Sequence, residues 1–192
     1  KLGHSLNVER YREAIRAIRQ QVGEELIIQI TTEAVGIYNR EQQIQTVQEL
    51  RPEAVSLAIR EISPAGVDEK VSAEFFSFLH REGIAPQYIL YTREDILHFK
   101  KLLERGIIPD DSISVLLVLG RYTENQQSDA TDIAPLLCHL PKVQYWSLCA
   151  FGSSEADCML EAIRLGGHCR VGFENNLLMS DGTLAADNAA LV

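Results

Sequence analysis

No part of this sequence gathers lysine and arginine into a basic stripe, and no apolar run approaches the roughly 20 residues that a membrane-spanning helix requires. The 192 residues carry 18 basic against 27 acidic side chains, a net charge of −9. Neither a nucleic-acid nor a membrane partner is expected, and the ligand is expected to be a small molecule. The opening residues show no charged-then-apolar leader, and the sequence starts at Lys1 rather than at methionine. The four cysteines, at 138, 149, 158 and 169, form no Cys-x-x-Cys pair and lack the density of a disulfide scaffold. They read as reduced packing thiols of a cytoplasmic protein.

Signatures of common chemistries are missing too. There is no Gly-x-Gly-x-x-Gly, P-loop, Gly-x-Ser-x-Gly or His-Glu-x-x-His, and the histidines at 4, 80, 98, 139 and 168 show no metal-pair spacing. A Schiff-base mechanism wants a lysine projecting from a strand into a dry pocket. Lys1, Lys70, Lys100, Lys101 and Lys142 all fall at helix or loop positions, so that mechanism is not expected.

What is present is alternation. With 46% hydrophobic and 23% charged residues the composition is that of one soluble globular domain over 1–192. Strand-like runs at 26–31, 54–59, 87–91, 113–119, 144–150 and 168–174 begin 24 to 33 residues apart, the length of one strand–crossover–strand unit. Between them lie helix-periodic segments near 40–50, 70–82, 93–105, 129–139 and 154–165. An opening amphipathic helix carries Val8, Tyr11, Ile15, Ile18 and Val22 on one stripe behind Asn7 as N-cap. Gly106 and Gly166 stand where C-terminal caps need a left-handed residue.

The strands are two-faced. Val55, Leu57 and Ile59 oppose Ala54, Ser56, Ala58 and Arg60, and Ile28 and Ile30 oppose Gln29 and Thr31. Such strands suit a closed barrel with a polar mouth better than an open sheet whose strands are apolar on both sides. A (β/α)8 barrel typically uses about 250 residues, so the expectation is a TIM barrel of which this chain covers strands three to eight. A six-stranded open sheet is the alternative.

In either architecture functional groups gather at the C-terminal ends of strands. Those ends supply Thr31, Thr32 and Glu33; Ser56, Arg60 and Glu61; Tyr91 and Thr92; Gly120 and Arg121; Phe151, Gly152 and Ser153; and Glu174, Asn175 and Asn176. Glu174 is the candidate metal ligand or general base, with an ion pair to Arg170 as the structural alternative. Arg170 can fork onto a planar carboxylate or support an enolate oxygen. Thr31, Thr32 and Ser56 can hydrogen-bond a substrate, or simply serve as β-formers. Gly152-Ser153-Ser154 reads as an anion site at a helix start or as an ordinary N-cap.

The segment Gly166-Gly-His-Cys-Arg-Val-Gly-Phe-Glu-Asn-Asn176, with Asp187-Asn-Ala-Ala-Leu-Val192 downstream, resembles the last strand and following helix of the β-keto acid cleavage enzymes. Ile28-Gln-Ile-Thr-Thr-Glu33 is similar to that family's third strand and Leu50-Arg-Pro-Glu-Ala-Val-Ser-Leu57 to its fourth, so the likeness runs through nearly all 192 residues. The resemblance implies a TIM barrel lacking its first two strand–helix units here. It also implies a homo-oligomer, commonly a tetramer, and a zinc-dependent exchange in which a β-keto acid and acetyl-CoA give acetoacetate and a new CoA thioester. Glu174 would be a zinc ligand, Arg170 the arginine beside it, and Thr31 and Ser56 the substrate hydroxyls. The family's metal histidines sit as His-x-His on the second strand, so the remaining zinc ligands are expected upstream of Lys1. Asn175 stands where many members have a catalytic aspartate, replacing proton transfer by hydrogen bonding, and Gln87 and Ile89 stand where many carry a glutamate. A small-carboxylate-binding barrel without turnover, and a metal-dependent aldolase or lyase without CoA, are the other readings.

Overall fold

The computed structural model describes residues 4–109 and 112–192; Lys1, one of the five off-strand lysines, lies outside them. The fold is α/β. Strands β1 (Gln29–Thr31), β2 (Ala54–Ala58), β3 (Ala85–Leu90), β4 (Ser114–Leu119), β5 (Tyr145–Ala150) and β6 (His168–Cys169) lie in the sheet in chain order. Pairing is parallel for β1–β2, β4–β5 and β5–β6. Helices α1 (Val8–Val22), α2 (Arg40–Leu50), α3 (Ile59–Ile62), α4 (Lys70–Glu82), α5 (Arg93–Glu104), α6 (Ile133–Leu137) and α7 (Glu155–Arg164) precede and connect them. Strictly sequential order is barrel topology, whereas doubly wound open sheets reverse direction at a switch point. The six strands are the later strands of a TIM barrel, three to eight. The chain divides into two compact units, Lys1–Tyr88 with Leu102–Asp111, and Ile89–Lys101 with Ser112–Val192.

In the first unit, Asn7 caps α1 by accepting from the Arg10 N–H at 3.0 Å. The α1 stripe is nonetheless only half-buried at Tyr11, Ile15 and Val22 and exposed at Ile18, and Ile15 lines an open groove with Ile28, Leu50 and Pro52. Helix α2 starts with a reciprocal cap: the Gln42 N–H donates to Asn39 and the Asn39 N–H to Gln42, each at 2.9 Å. Strand β2 is buried at every residue, and Val47, Leu57, Ile62, Phe75, Phe76 and Leu79 are nearly inaccessible.

In the second unit, β4 and β5 run in continuous register from Ser114↔Tyr145 to Leu119↔Ala150. Thr92 and Asp95 form a second reciprocal cap at the start of α5, with the Thr92 N–H donating to Asp95 at 3.2 Å and the Asp95 N–H to Thr92 at 3.3 Å. Helix α7 lays Cys158, Met159 and Ala162 on β5 and β6. Burial pushes the Cys149 thiol up to about 12 and Cys158 to about 11, so both are inert packing groups, as expected.

Two strands are shorter than their apolar patterns predict. The Ile28 N–H bonds the Glu53 carboxylate at 3.2 Å instead of a strand partner, so β1 starts at Gln29 and leaves Leu26 and Ile27 exposed. The run read as 168–174 is strand only at His168–Cys169. Gly172 takes φ 152°, and the Asn175 and Asn176 N–H groups both bond its carbonyl, at 2.9 and 3.2 Å, closing a turn where a strand was expected. Helix 129–139 resolves into a 3-10 turn, Ala130–Asp132, followed by α6.

Gly167 leads into β6 directly beneath the Trp146 indole, and a Cβ there would lie 2.4 Å from the ring. Gly167→Ala is expected to lower the unfolding free energy by about 1–3 kcal/mol through overpacking, as read by urea titration followed at the indole fluorescence.

Candidate functional site

The polar groups at the C-terminal end of β6 owe their position to where the ladder stops. The Arg170 N–H bonds the Leu148 carbonyl at 2.8 Å, extending the parallel pairing by one residue, and the chain then turns away. The turn brings residue 174 back toward residue 170, and the Arg170 guanidinium meets the Glu174 carboxylate at 2.7 Å. The ion pair named as the structural alternative is present, made by a turn rather than by two pleats of one strand face. Arg170 retains 34% and Glu174 60% of its side-chain accessibility. A pair this open contributes about 0–1 kcal/mol.

Beneath the turn the polar groups are buried. Glu155, in the first turn of α7, is 2% exposed. One of its oxygens accepts from the Asn175 carboxamide at 3.4 Å and the other from Asn176 at 3.1 Å. Asn175 also donates to the Arg170 carbonyl at 3.3 Å, and Asn176 to the Leu178 carbonyl at 2.6 Å. Both Asn175 amide hydrogens are thereby committed, and its Oδ1, buried, has no partner. An unmet buried acceptor costs about 1–3 kcal/mol. The Asn175 carbonyl accepts from the Gly152 N–H at 3.1 Å, tying the turn to the end of β5.

The ends of β4 and β5 are held by glycines against residues 126–128. A Cβ on Gly152, at φ 92°, would lie 2.6 Å from the Gln126 carbonyl, and one on Gly120 would lie 2.5 Å from the Ser128 hydroxyl. That hydroxyl donates to the Phe151 carbonyl at 2.8 Å. Beside them opens a cavity of about 380 Å³ lined by Tyr91, Thr92, Arg121, Tyr122, Gln127 and Leu136 among others. The Arg121 guanidinium lies 5.4 Å from the Phe151 ring centroid. Ser154 is the N-cap of α7, as the ordinary reading of Gly152-Ser153-Ser154 has it; its carbonyl accepts from the Cys158 N–H at 3.0 Å, while its hydroxyl makes no cap bond.

In the first unit, Thr31 ends β1 in register with Ser56, which lies midway along β2 rather than at its tip, and Thr32 follows just beyond β1. Their hydroxyls already serve the main chain: Ser56 donates to the Ile30 carbonyl at 3.3 Å, Thr32 to the Ser56 carbonyl at 3.4 Å, and Thr31 accepts from the Glu33 N–H at 3.3 Å. Tyr11, whose phenol burial pushes up to about 12, donates to the Thr31 carbonyl at 2.6 Å. The buried Gln43 amide donates to the Thr32 carbonyl at 2.9 Å and to Glu61 at 3.2 Å, and Glu61 also accepts from the Ala34 N–H at 3.0 Å. Burial raises the Glu61 carboxyl above the usual range, with Glu33 adding to the rise. Thr31, Thr32 and Ser56 thus form one cluster, and Arg170, Glu174 and Asn175 another, each within its own unit.

Glu155 and Gln43 were not foreseen. Each carries the same signal, a polar residue inside an apolar helical stripe: Glu155 with Cys158, Met159 and Ala162, and Gln43 with Ile44 and Val47. Among the described residues no group of three His, Cys, Asp or Glu side chains could hold a metal ion. Glu174 is a single donor already paired with Arg170, so the donor set present here does not by itself fit a zinc site, which needs three or four.

Sequential parallel strands with charged and carboxamide groups at their C-terminal tips define a barrel-type α/β protein with its polar centre on the strand ends. The sequence matches the beta-keto acid cleavage enzyme family over residues 2–192, and the chain belongs to that family. It is 29% identical over 189 residues to the 3-keto-5-aminohexanoate cleavage enzyme of Fusobacterium nucleatum, covering 96% of this chain and 67% of that protein. The protein of the same name from Acetoanaerobium sticklandii is 27% identical over 191 residues, covering 96% and 68%. A 3-oxoadipate:acetyl-CoA acetyltransferase from Cupriavidus necator is 25% identical over 155 residues, covering 74% and 52%. The chain thus spans about two thirds of the length of the first two relatives. In fold it is similar to a type I 3-dehydroquinate dehydratase of Clostridium difficile, with a TM-score of 0.62 at 11% identity over 96% of this chain and 74% of that one.

Because the folded state raises the Glu61 pKa, its carboxyl favours folding below the ordinary glutamate range, and that contribution fades as pH rises through the folded value. Glu61→Gln, which keeps an acceptor without the charge, should therefore gain stability relative to wild type between pH 4 and pH 7. Urea midpoints at the two pH values measure this; an unchanged difference would refute it.

Proposed function

We propose that this chain performs its family's β-keto acid cleavage with acetyl-CoA as co-substrate. The acyl groups on the CoA sulfur and on the acetate-derived carbons change places, giving acetoacetate and a new acyl-CoA. The observation that carries the reading is the Arg170–Glu174 pair, accessible on the turn after β6 and seated on buried carboxamides. A guanidinium is always charged and forks onto planar anions, so Arg170 binds the keto acid's carboxylate and supports negative charge as the carbon–carbon bond breaks. Asn175 cannot carry a proton at this position, and its part is to hydrogen-bond. Thr31, Thr32 and Ser56 enter the proposal as the hydroxyls for the substrate's acid portion, their oxygens retaining lone pairs beside the main-chain bonds.

Zinc dependence is the finer part of the proposal. Glu174 would be this chain's ligand to a zinc ion, and such an ion, when bound, would supply Lewis-acid polarisation of a keto oxygen. The same reading takes the protein as one barrel domain over 1–192, cytoplasmic and homotetrameric.

Release of a CoA thioester from acetyl-CoA and a panel of β-keto acids tests the activity. Arg170→Ala should lower kcat/KM about 100-fold or more, and Arg170→Lys should recover little, because an ammonium does not reproduce the fork. No thioester from any β-keto acid would leave a carboxylate-binding protein. Elemental analysis tests the metal: about one zinc per chain, lost in Glu174→Ala, is the expected result.

A further inference from the structure

We propose that Glu155 is a positioning residue for this centre: its buried carboxylate fixes the amide orientation of Asn175 and Asn176, and through them the turn that presents Arg170 and Glu174. The proposal rests on the reading of those two side chains as substrate-facing groups.

An ionised carboxylate only accepts, so two carboxamides facing it must both present their NH2 ends. Glu155 meets Asn175 with one oxygen and Asn176 with the other. The second hydrogen of each amide goes to a main-chain carbonyl, Arg170 for Asn175 and Leu178 for Asn176. The chain is thereby gripped at 170 and at 178, on either side of Glu174. Asn176 Oδ1 accepts from the Leu178 N–H at 2.9 Å, which closes its set, whereas Asn175 Oδ1 is left without a donor. Flipping Asn175 to find one would aim its oxygen at the Glu155 carboxylate and the Arg170 carbonyl, so the orphan follows from Glu155's demand. Placing that carboxylate in the first turn of a ten-residue helix sets it among N–H groups and the positive end of the helix dipole, which suits a buried acceptor.

The same geometry makes residues 155 and 175 interdependent. An aspartate at 175 would face Glu155 across 3.4 Å with neither side able to donate unless one is protonated. A glutamine at 155 supplies the missing donor. Four proteins test this in full-length form: wild type, E155Q, N175D and E155Q/N175D. E155Q is expected to lower kcat about tenfold or more, with KM within about threefold and the thermal midpoint nearly unchanged, the pattern of a group felt in the transition state. N175D should fall further, and adding E155Q to N175D should raise kcat rather than lower it, so one substitution changes sign with its background. Independently of turnover, the side-chain NH2 resonances of Asn175 and Asn176 should exchange slowly in wild type and lose that protection in E155Q, together with faster backbone exchange over 170–176.

Losses that multiply in the double variant, a kcat loss matched by an equal fall in thermal midpoint, or a fast-exchanging Asn175 carboxamide in wild type would each overturn the proposal. If wild type releases no thioester, the functional reading fails, and the resonance and exchange measurements still decide whether Glu155 holds the turn.

Discussion

The hydrogen bond from the Arg170 N–H to the Leu148 carbonyl is the last rung between β5 and the chain beyond β6, and the candidate centre depends on its being the last. One more rung would carry residue 172 into the ladder, leave Arg170 and Glu174 on one strand face but roughly 13 Å apart along it, and remove the turn that brings them together. Gly172 prevents this, because its φ of 152° diverts the backbone where most side chains would resist following. Its carbonyl then collects the Asn175 and Asn176 N–H groups. A short strand is what makes a compact polar cluster possible here.

The elements most legible in the sequence are those whose stability is local or wholly buried. β4 reads as a run of apolar residues because both of its faces are covered, and it is found within one residue of 113–119. Helix α4 occupies the predicted 70–82, ending at Gly83 with φ 68°. The helix stops at Gly106 and Gly166, with φ 67° and 84°, follow from the same left-handed requirement. Where pairing is decided by partners instead of by pattern, the reading overshoots. Leu26 and Ile27 are apolar enough for a strand, but the Glu53 carboxylate intercepts the Ile28 N–H that would have extended the ladder.

At the centre, the Arg170–Glu174 pairing is read in the sequence from a shared strand face, and the structure makes the same pair through the turn at Gly172 instead. What could not be read was the layer underneath. Glu155 looks like an ordinary acidic residue in a helix's first turn, where it would be solvated, and only the stripe formed with Cys158, Met159 and Ala162 hints that it points inward. Period tells which face a side chain is on, not which amides will meet it there.

Glu61 and Glu155 both turn inward, and their surroundings differ. Glu61 is half-buried with Glu33 nearby, and its surroundings favour the protonated form despite the Ala34 N–H. Glu155 is more deeply buried, yet it is met by two carboxamides and sits at a helix N-terminus, an arrangement that supplies donors to both oxygens. The difference lies in what each can organise. A carboxyl whose charged form burial disfavours makes the weaker anchor for its donors. A fully satisfied acceptor imposes one orientation on everything that donates to it. Residues 170–178 need the second kind, because a turn without a flanking strand has no ladder of its own to keep it in place.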